Sequence, residues 1–376
     1  MSAPARPRPA GGPSPLLPLG YLVCAAMAFV AATAQVFWLA PELTGHYYQP
    51  RLFALTHTVT LGWVTLAIMG ASYQLIPVVL ERPIWSERLA RWQLAIVVVA
   101  VTGMVAHFHL GTWPGLAAAA LVLAVAIAMH LLNVGASLRG VTDWTLTARL
   151  VALGYVGLAV TTLFGLALAI NHLWPFLPGA LFPLLHAHVQ LALLGWVTPM
   201  IFGVAASVYP MFLLAPAPSR WASRIQLSGL AVGVPLMVIG LVSTRSLLVL
   251  GAVAVTAAAG SHTAWILEMA RARRRPGLDW GLRFALTATG FLLPAAALGL
   301  ALAVDVLSGP RVALAYAVVV LGGFVSLTIV GMMLKIVPFL VWYRVYSSRA
   351  GREMVPMLAQ LSWSRAEGLA YALLTG

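Results

Sequence analysis

The chain has 376 residues, of which 61 % are hydrophobic and only 8 % charged, with a mean hydropathy of +0.95. A soluble globular domain runs near a quarter charged, so a water-soluble enzyme, a coiled coil and a disordered tail protein are excluded. The single cysteine, Cys24, excludes a disulfide framework or a multi-cysteine metal site, and the net charge of +13 sits in arginines between apolar runs, which points to membrane topology rather than nucleic acid.

A spanning helix needs about 20 apolar residues. Ten runs qualify, at roughly 15–40, 52–80, 91–111, 113–137, 149–170, 180–213, 225–243, 246–269, 281–305 and 311–345. The expected fold is therefore all-α, a polytopic membrane bundle of about ten transmembrane helices. The opening residues 1–14 are Pro/Gly-rich and expected to be disordered. The bundle is expected over 15–346, followed by a short amphipathic or loose tail over 347–376.

Charge orients the runs. Of the 22 cationic residues, 18 fall in loops on one side, among them Arg82, Arg139, Arg220 and Arg349, while Arg51, Arg245 and Arg311 fall on the other. The positive-inside rule puts both termini in the cytoplasm, as expected for a bacterial-type inner membrane protein. The remaining cation, Lys335, lies inside the tenth run and is expected to snorkel to the cytoplasmic surface. The spanning cores carry almost no acids, which weakens a proton pump or cation transporter.

With this topology, His46, His57, His107, His109, His172, His186 and His188 all fall at or near the outer ends of helices. His130 lies too deep for that layer and reads as core.

The second, sixth and tenth runs repeat a pattern: Gly62-Trp63, Gly70, Pro77; Gly195-Trp196, Gly203, Pro210; Gly323-Phe324, Gly331, Pro338. The spacing is conserved within all three, which predicts a pseudo-threefold bundle with these three runs equivalent. The glycines allow close approach of a backbone or a flat ligand, and they equally suit a packing seam. Each proline kinks the inner end.

His57 lies about 7.5 Å into its helix at 1.5 Å per residue, and His186 and His188 lie at similar depth. Imidazole is a common axial ligand of haem iron, and two imidazoles on facing helices suit a low-spin b-type haem. His186 and His188 point about 200° apart on a helix, so either one, but not both, would pair with His57 on one metal. His107, His109 and His172 could rim the same cavity and bind copper, zinc or iron; alternatively they belong to an interfacial belt with Trp113 and Trp174. Arg51 is the cation nearest the outer ends, where haem propionates would need one.

The sequence HAHVQLALLGW, with its following Gly and Pro, resembles the His-x-His helix of haem–copper oxidase catalytic subunits, most closely the C-type cytochrome oxidase and nitric oxide reductase branches. It also resembles the membrane haem proteins of the nitric-oxide response. The resemblance implies a pseudo-threefold bundle, a low-spin haem histidine at His57, and one haem for each His of the pair. The family has twelve core helices and carries its His-x-His in the third repeat; here ten runs are found and the motif sits in the second. No adjacent His-His pair and no full copper-ligand set is present, so dioxygen reduction and proton pumping are not expected.

The expectation is a haem protein with one or two haem b groups, with copper as a further candidate. It would act in electron transfer or in binding or reduction of a diatomic gas (NO or O2), beside membrane lipid and with a redox partner or second subunit. A copper-handling transporter and a cofactor-free assembly subunit are the alternatives.

Overall fold

The computed structural model describes residues 13–43, 45–274 and 277–376. Arg6, Arg8, Arg275 and most of the opening segment lie outside the described residues. Ser14, at that segment's end, donates its backbone N–H to Glu87 Oε1 at 3.0 Å.

Lipid offers no partner to a backbone N–H or C=O, so apolar segments of this length close their own hydrogen bonds as helices. Among the described residues ten do so: α1 Leu16–Trp38, α2 Pro50–Val79, α3 Glu87–Leu110, α4 Trp113–Leu138, α5 Leu146–Asn171, α6 Leu181–Leu213, α7 Arg220–Val242, α8 Arg245–Arg271, α9 Trp280–Ala303 and α10 Pro310–Tyr346. The chain is an all-α, multi-pass membrane bundle. A shorter helix, α11 Ser364–Thr375, follows.

Helix starts differ on the two faces. At the arginine-rich face, side chains of Ser86, Thr145, Ser219 and Asp279 cap α3, α5, α7 and α9 by accepting a backbone N–H three residues on. At the opposite face α2, α4 and α10 open with proline in the first turn.

Two thirds of the apolar window of α2 and of α6, and half of that of α10, is buried, against 28–39 % for the other spans. These three therefore form the centre, and the remaining spans wrap it. They are the three runs that carry the repeat. Each also contains a π-helical stretch over its first anchor glycine: Thr58–Thr65, Leu191–Val197 and Val318–Ser326. Such stretches leave the regular backbone ladder and are frequent at functional sites.

The anchor glycines turn out to be helix seams. Gly70 meets Pro18 and Tyr21 of α1, Gly203 meets Thr147 and Leu150 of α5, and Gly331 meets Gly281 and Phe284 of α9. The partners keep the same three-residue offset each time. The first anchors follow suit, with Gly62 on Ala28, Gly195 on Gly157 and Gly323 on Phe291. Each inner helix thus seats the helix before it through two bare backbone contacts. In lipid, where apolar burial drives little association, such close packing is what holds helices together.

The segment after α10 is docked. Trp280 Nε1 donates to Ser364 Oγ at 3.0 Å, and Thr287 and Tyr371 share a hydrogen bond of 2.7 Å. Seven residues separate the contacts on both helices, so α11 runs parallel to α9 for two turns. Lys335 points to the arginine-rich face, pairs with Asp279, the cap of α9, and lies 4.8 Å over the ring of Phe212.

Candidate functional site

His57 ends the α-helical part of α2, immediately before its π stretch. Its Nδ1–H donates to the Phe53 carbonyl at 2.8 Å. That bond assigns the tautomer and leaves Nε2 as a bare lone pair, the state a metal ligand requires. The ring lies against Phe108 of α3, centroids 4.8 Å apart.

His188 sits on α6, three residues before the π stretch of that helix. Its ring fills the space over Gly165 of α5, where an added methyl carbon would lie 2.8 Å from Cε1. Phe164 meets it edge-on at 6.1 Å. Its Nδ1 is buried and has no hydrogen-bond partner. His57 on α2 thus packs against Phe108 of α3, and His188 on α6 packs against Phe164 and Gly165 of α5.

His186 is elsewhere. Its Nε2 lies 2.9 Å from the Tyr47 hydroxyl. Burial pushes that phenol's pKa up. Tyr47 belongs to the α1–α2 connection, which folds over the start of α6 with Phe182, His46 and Tyr48. The opposed directions of His186 and His188 follow from their two-residue spacing.

The outer-layer histidines are held singly. His107 Nδ1 bonds Thr112 Oγ1 at 2.7 Å, and its ring lies flat on Gly115. His109 Nε2 lies 3.3 Å from Gln35 Oε1. His172 stacks on Trp113 at 4.3 Å and 8° between planes. Among the described residues no three His, Cys, Asp or Glu side chains gather as a metal group. The three rings thus have separate neighbours, Thr112 and Gly115, Gln35, and Trp113. Arg51 is already engaged by Glu42 at 3.0 Å.

Two sets of polar residues escaped the sequence reading. His130 is not inert filling: its Nδ1 bonds the Tyr73 hydroxyl at 3.0 Å, and Tyr73 and Tyr21 both donate to Gln93 Oε1. In the second repeat His262 Nδ1 bonds Gln226 Oε1 at 3.1 Å, and its ring stacks on Phe202 at 3.7 Å. Gln93 and Gln226 are 133 residues apart, the offset of Gly62 and Gly195; His130 and His262 are 132 apart. The repeat period was in the sequence and would have found both pairs had it been applied to polar residues as well as to glycines.

No protein-family model matches the chain, and no curated protein matches it.

Proposed function

We propose that the chain is a b-type haem-binding membrane protein related to the haem–copper oxidases, with His57 and His188 as the axial pair. The observation that carries this reading is the pair itself. Two half-buried imidazoles lie at similar depth on separate central helices, each against its own aromatic ring, and His57 has its Nε2 lone pair freed by an Nδ1–H bond to a carbonyl. An ionisable group inside a membrane is costly and by default functional. The orphaned Nδ1 of His188 adds to that cost unless the ring has another task.

A haem held there supplies one-electron chemistry. The protein's part is to fix both rings and exclude water. Phe53 sets the tautomer of His57, Gly165 gives His188 room, and Phe108 and Phe164 provide apolar walls. With both axial positions taken, electron transfer is favoured over gas binding or reduction. The arginine-rich face is assigned to the cytoplasm of a bacterial-type inner membrane by the positive-inside rule. His186 and the belt histidines have no part in this site.

The experiment is an absorption spectrum of the purified full chain, oxidised, reduced, and reduced under carbon monoxide. A six-coordinate b-type spectrum insensitive to the gas is expected. His57→Ala and His188→Ala should abolish it or convert it to a gas-binding form, while His186→Ala should leave it intact. Chain that carries no haem after expression with haem supplied, or variants with unaltered spectra, overturns the assignment. Bound copper in its place would favour metal handling, and neither would favour an assembly subunit.

A further inference from the structure

The three central helices enclose a cavity with an empty volume of about 620 Å³. It is bounded by equivalent positions of the three repeats. Six residues after the first anchor glycine stand Ile68, Ile201 and Ile329, and nine residues after it stand Ala71, Val204 and Met332. The cavity therefore lies on the pseudo-threefold axis, in the half of the bundle toward the arginine-rich face. One turn earlier on the same helix faces, Val64, Val197 and Val325 are at most 4 % exposed and close the axis on the other side. Ala71, Val204 and Met332 stay half-buried although they face the axis, because the space between them is unfilled.

The walls carry no charged side chain and three hydroxyls. Ser72 and Thr328 donate theirs to the carbonyls of Ile68 and Phe324 in their own helices, both at 2.7 Å. The third belongs to Tyr209 of α6, whose side chain is buried at 3 % exposure. It takes part in no hydrogen bond among the described residues, yet it is not one of the orphaned atoms that are wholly enclosed. The open space available to it is the cavity it lines. A buried phenol without a partner forfeits its hydration. The other repeats carry Ile76 and Val337 at the equivalent positions, so packing of the bundle does not by itself call for a phenol there.

The cavity departs from threefold symmetry on one side. α1 contributes Leu22 to its wall, whereas the equivalent residues Val151 of α5 and Ala285 of α9, each next to a seam partner of an anchor glycine, do not reach it. In the first repeat α4 packs against α5, and in the second α8 packs against α9. Among the described residues no spanning helix follows α10, so α10 and α1 meet without such a cover. The gap between them faces lipid, and the cavity leans toward it.

We infer that this cavity binds a lipid-soluble molecule with an apolar body and a carbonyl group, which enters between α10 and α1 and accepts a hydrogen bond from Tyr209. Walls of this kind hold water poorly, and an empty space forfeits packing contacts that a molecule from the bilayer restores. Small-molecule pockets have this size and this make-up, mostly apolar with a few placed polar groups. A carbonyl satisfies the phenol and brings no donor that the walls would leave unpaired. A carboxylate or an amine would be buried as a charge without a counter-ion. The thioethers of Met332 and Met333 can adapt to its shape. Two lipid-phase sources share this chemistry, a quinone and an acyl ester. The site makes no use of His57 or His188 and does not rest on the haem assignment.

The test is photolabelling of the full chain in lipid bilayers with benzophenone, an apolar ketone that crosslinks to neighbouring C–H bonds under near-ultraviolet light. Saturable labelling of the peptide that carries Met332 and Met333 is expected. Tyr209→Phe removes no hydrogen bond of the fold and should weaken the apparent affinity about three- to ten-fold, the worth of one neutral hydrogen bond. Competition by diphenylmethane, which lacks the carbonyl, should be the same in both proteins. Ala71→Trp should abolish the labelling by filling the space. Displacement of the label by a decyl-substituted benzoquinone, or by methyl palmitate, supports the site and identifies the source. Labelling that does not saturate, that neither competitor displaces, or that is indifferent to Tyr209→Phe overturns the proposal.

Discussion

Trp63 of α2 donates its indole N–H to the hydroxyl of Ser326 of α10 at 3.0 Å. Trp196 of α6 donates in the same way to Thr65 of α2 at 3.4 Å. Thr65, Thr198 and Ser326 each lie two residues after the aromatic anchor of their own repeat. The contacts therefore pass around the pseudo-threefold axis, each repeat donating to another. The last edge would run from position 324 to Thr198. The side chain of Phe324 has no N–H, and its ring instead meets Phe202 edge-on at 6.4 Å. Two of three edges are closed, so the symmetry is of packing throughout and of hydrogen bonding in part.

Ser326→Ala is expected to destabilise the bundle by about 1–3 kcal/mol, because it strands a buried indole N–H. Trp63→Phe should cost less through the lost bond, since no donor is left behind. A double-mutant cycle, followed by unfolding in mixed micelles, should give a coupling of about 0.5–1.5 kcal/mol between the two positions. Strict additivity would show that the bond contributes nothing.

Gly157→Ala should be among the most damaging small changes in the chain. A methyl carbon there would sit 1.9 Å from the Gly195 carbonyl oxygen, and backbone has no rotamer to yield. The α5–α6 crossing must open, and the helix pair that carries Gly165 and His188 moves with it. Gly135→Ala is the control: nothing lies within 4 Å of the added carbon. It should be neutral or stabilising by up to about 1 kcal/mol from helix propensity. Thermal unfolding of the two variants side by side checks the contrast.

Gly165→Val tests how His188 is held. The added atoms press on the imidazole, and the ring must turn away from α5. The expected outcome is a folded protein whose haem spectrum shifts toward a five-coordinate form and now responds to carbon monoxide. Retention of the wild-type spectrum would mean that His188 does not depend on the gap left by the glycine.

The docking of α11 should depend on pH through Glu367. Burial, and then the nearby Asp279 charge, raise the pKa of its carboxyl above the usual carboxylate range, against a smaller opposing effect of Lys335. The docked state thus holds the proton more tightly than a released one. Stabilisation from this group is full below the ordinary carboxylate range and is lost as pH rises through the elevated value. Amide hydrogen exchange over residues 364–375 should therefore be slower in mild acid than at neutral pH, after correction for intrinsic rates. Glu367→Gln should remove the difference and leave α11 docked at neutral pH; a pH dependence that survives the substitution would exclude Glu367 as its source. The effect is modest, because the side chain remains largely in contact with water.

Much of the fold was legible in sequence, and less of the site. The ten spans emerge because hydropathy over about 20 residues is a sum, insensitive to any single contact. The repeat emerges because glycine and proline have backbone roles that spacing alone reveals. His57 and the His186/His188 pair were visible as candidates. Which neighbour each of the two histidines meets was not, because a helical wheel gives relative direction and not which residue lies there. Tyr47 takes His186 through a connection with no periodicity to read. The metal candidates His107, His109 and His172 looked like a group because they share a depth. They are separate because depth fixes one coordinate and leaves the lateral positions of their helices free.

By itself the amino-acid sequence determined that this chain is a multi-pass helical bundle, which of its helices are equivalent, and the level at which its histidines lie. These follow from lipid, which forces the backbone to satisfy itself, and from the bare backbones at the repeated glycines. Only the tertiary structure decided that His188 sits over Gly165 while His186 meets Tyr47, and that the anchor glycines seat neighbouring helices. Those outcomes depend on how the surrounding helices rotate and cross, which is set by side-chain fit between residues far apart in the chain, and no local pattern encodes that fit.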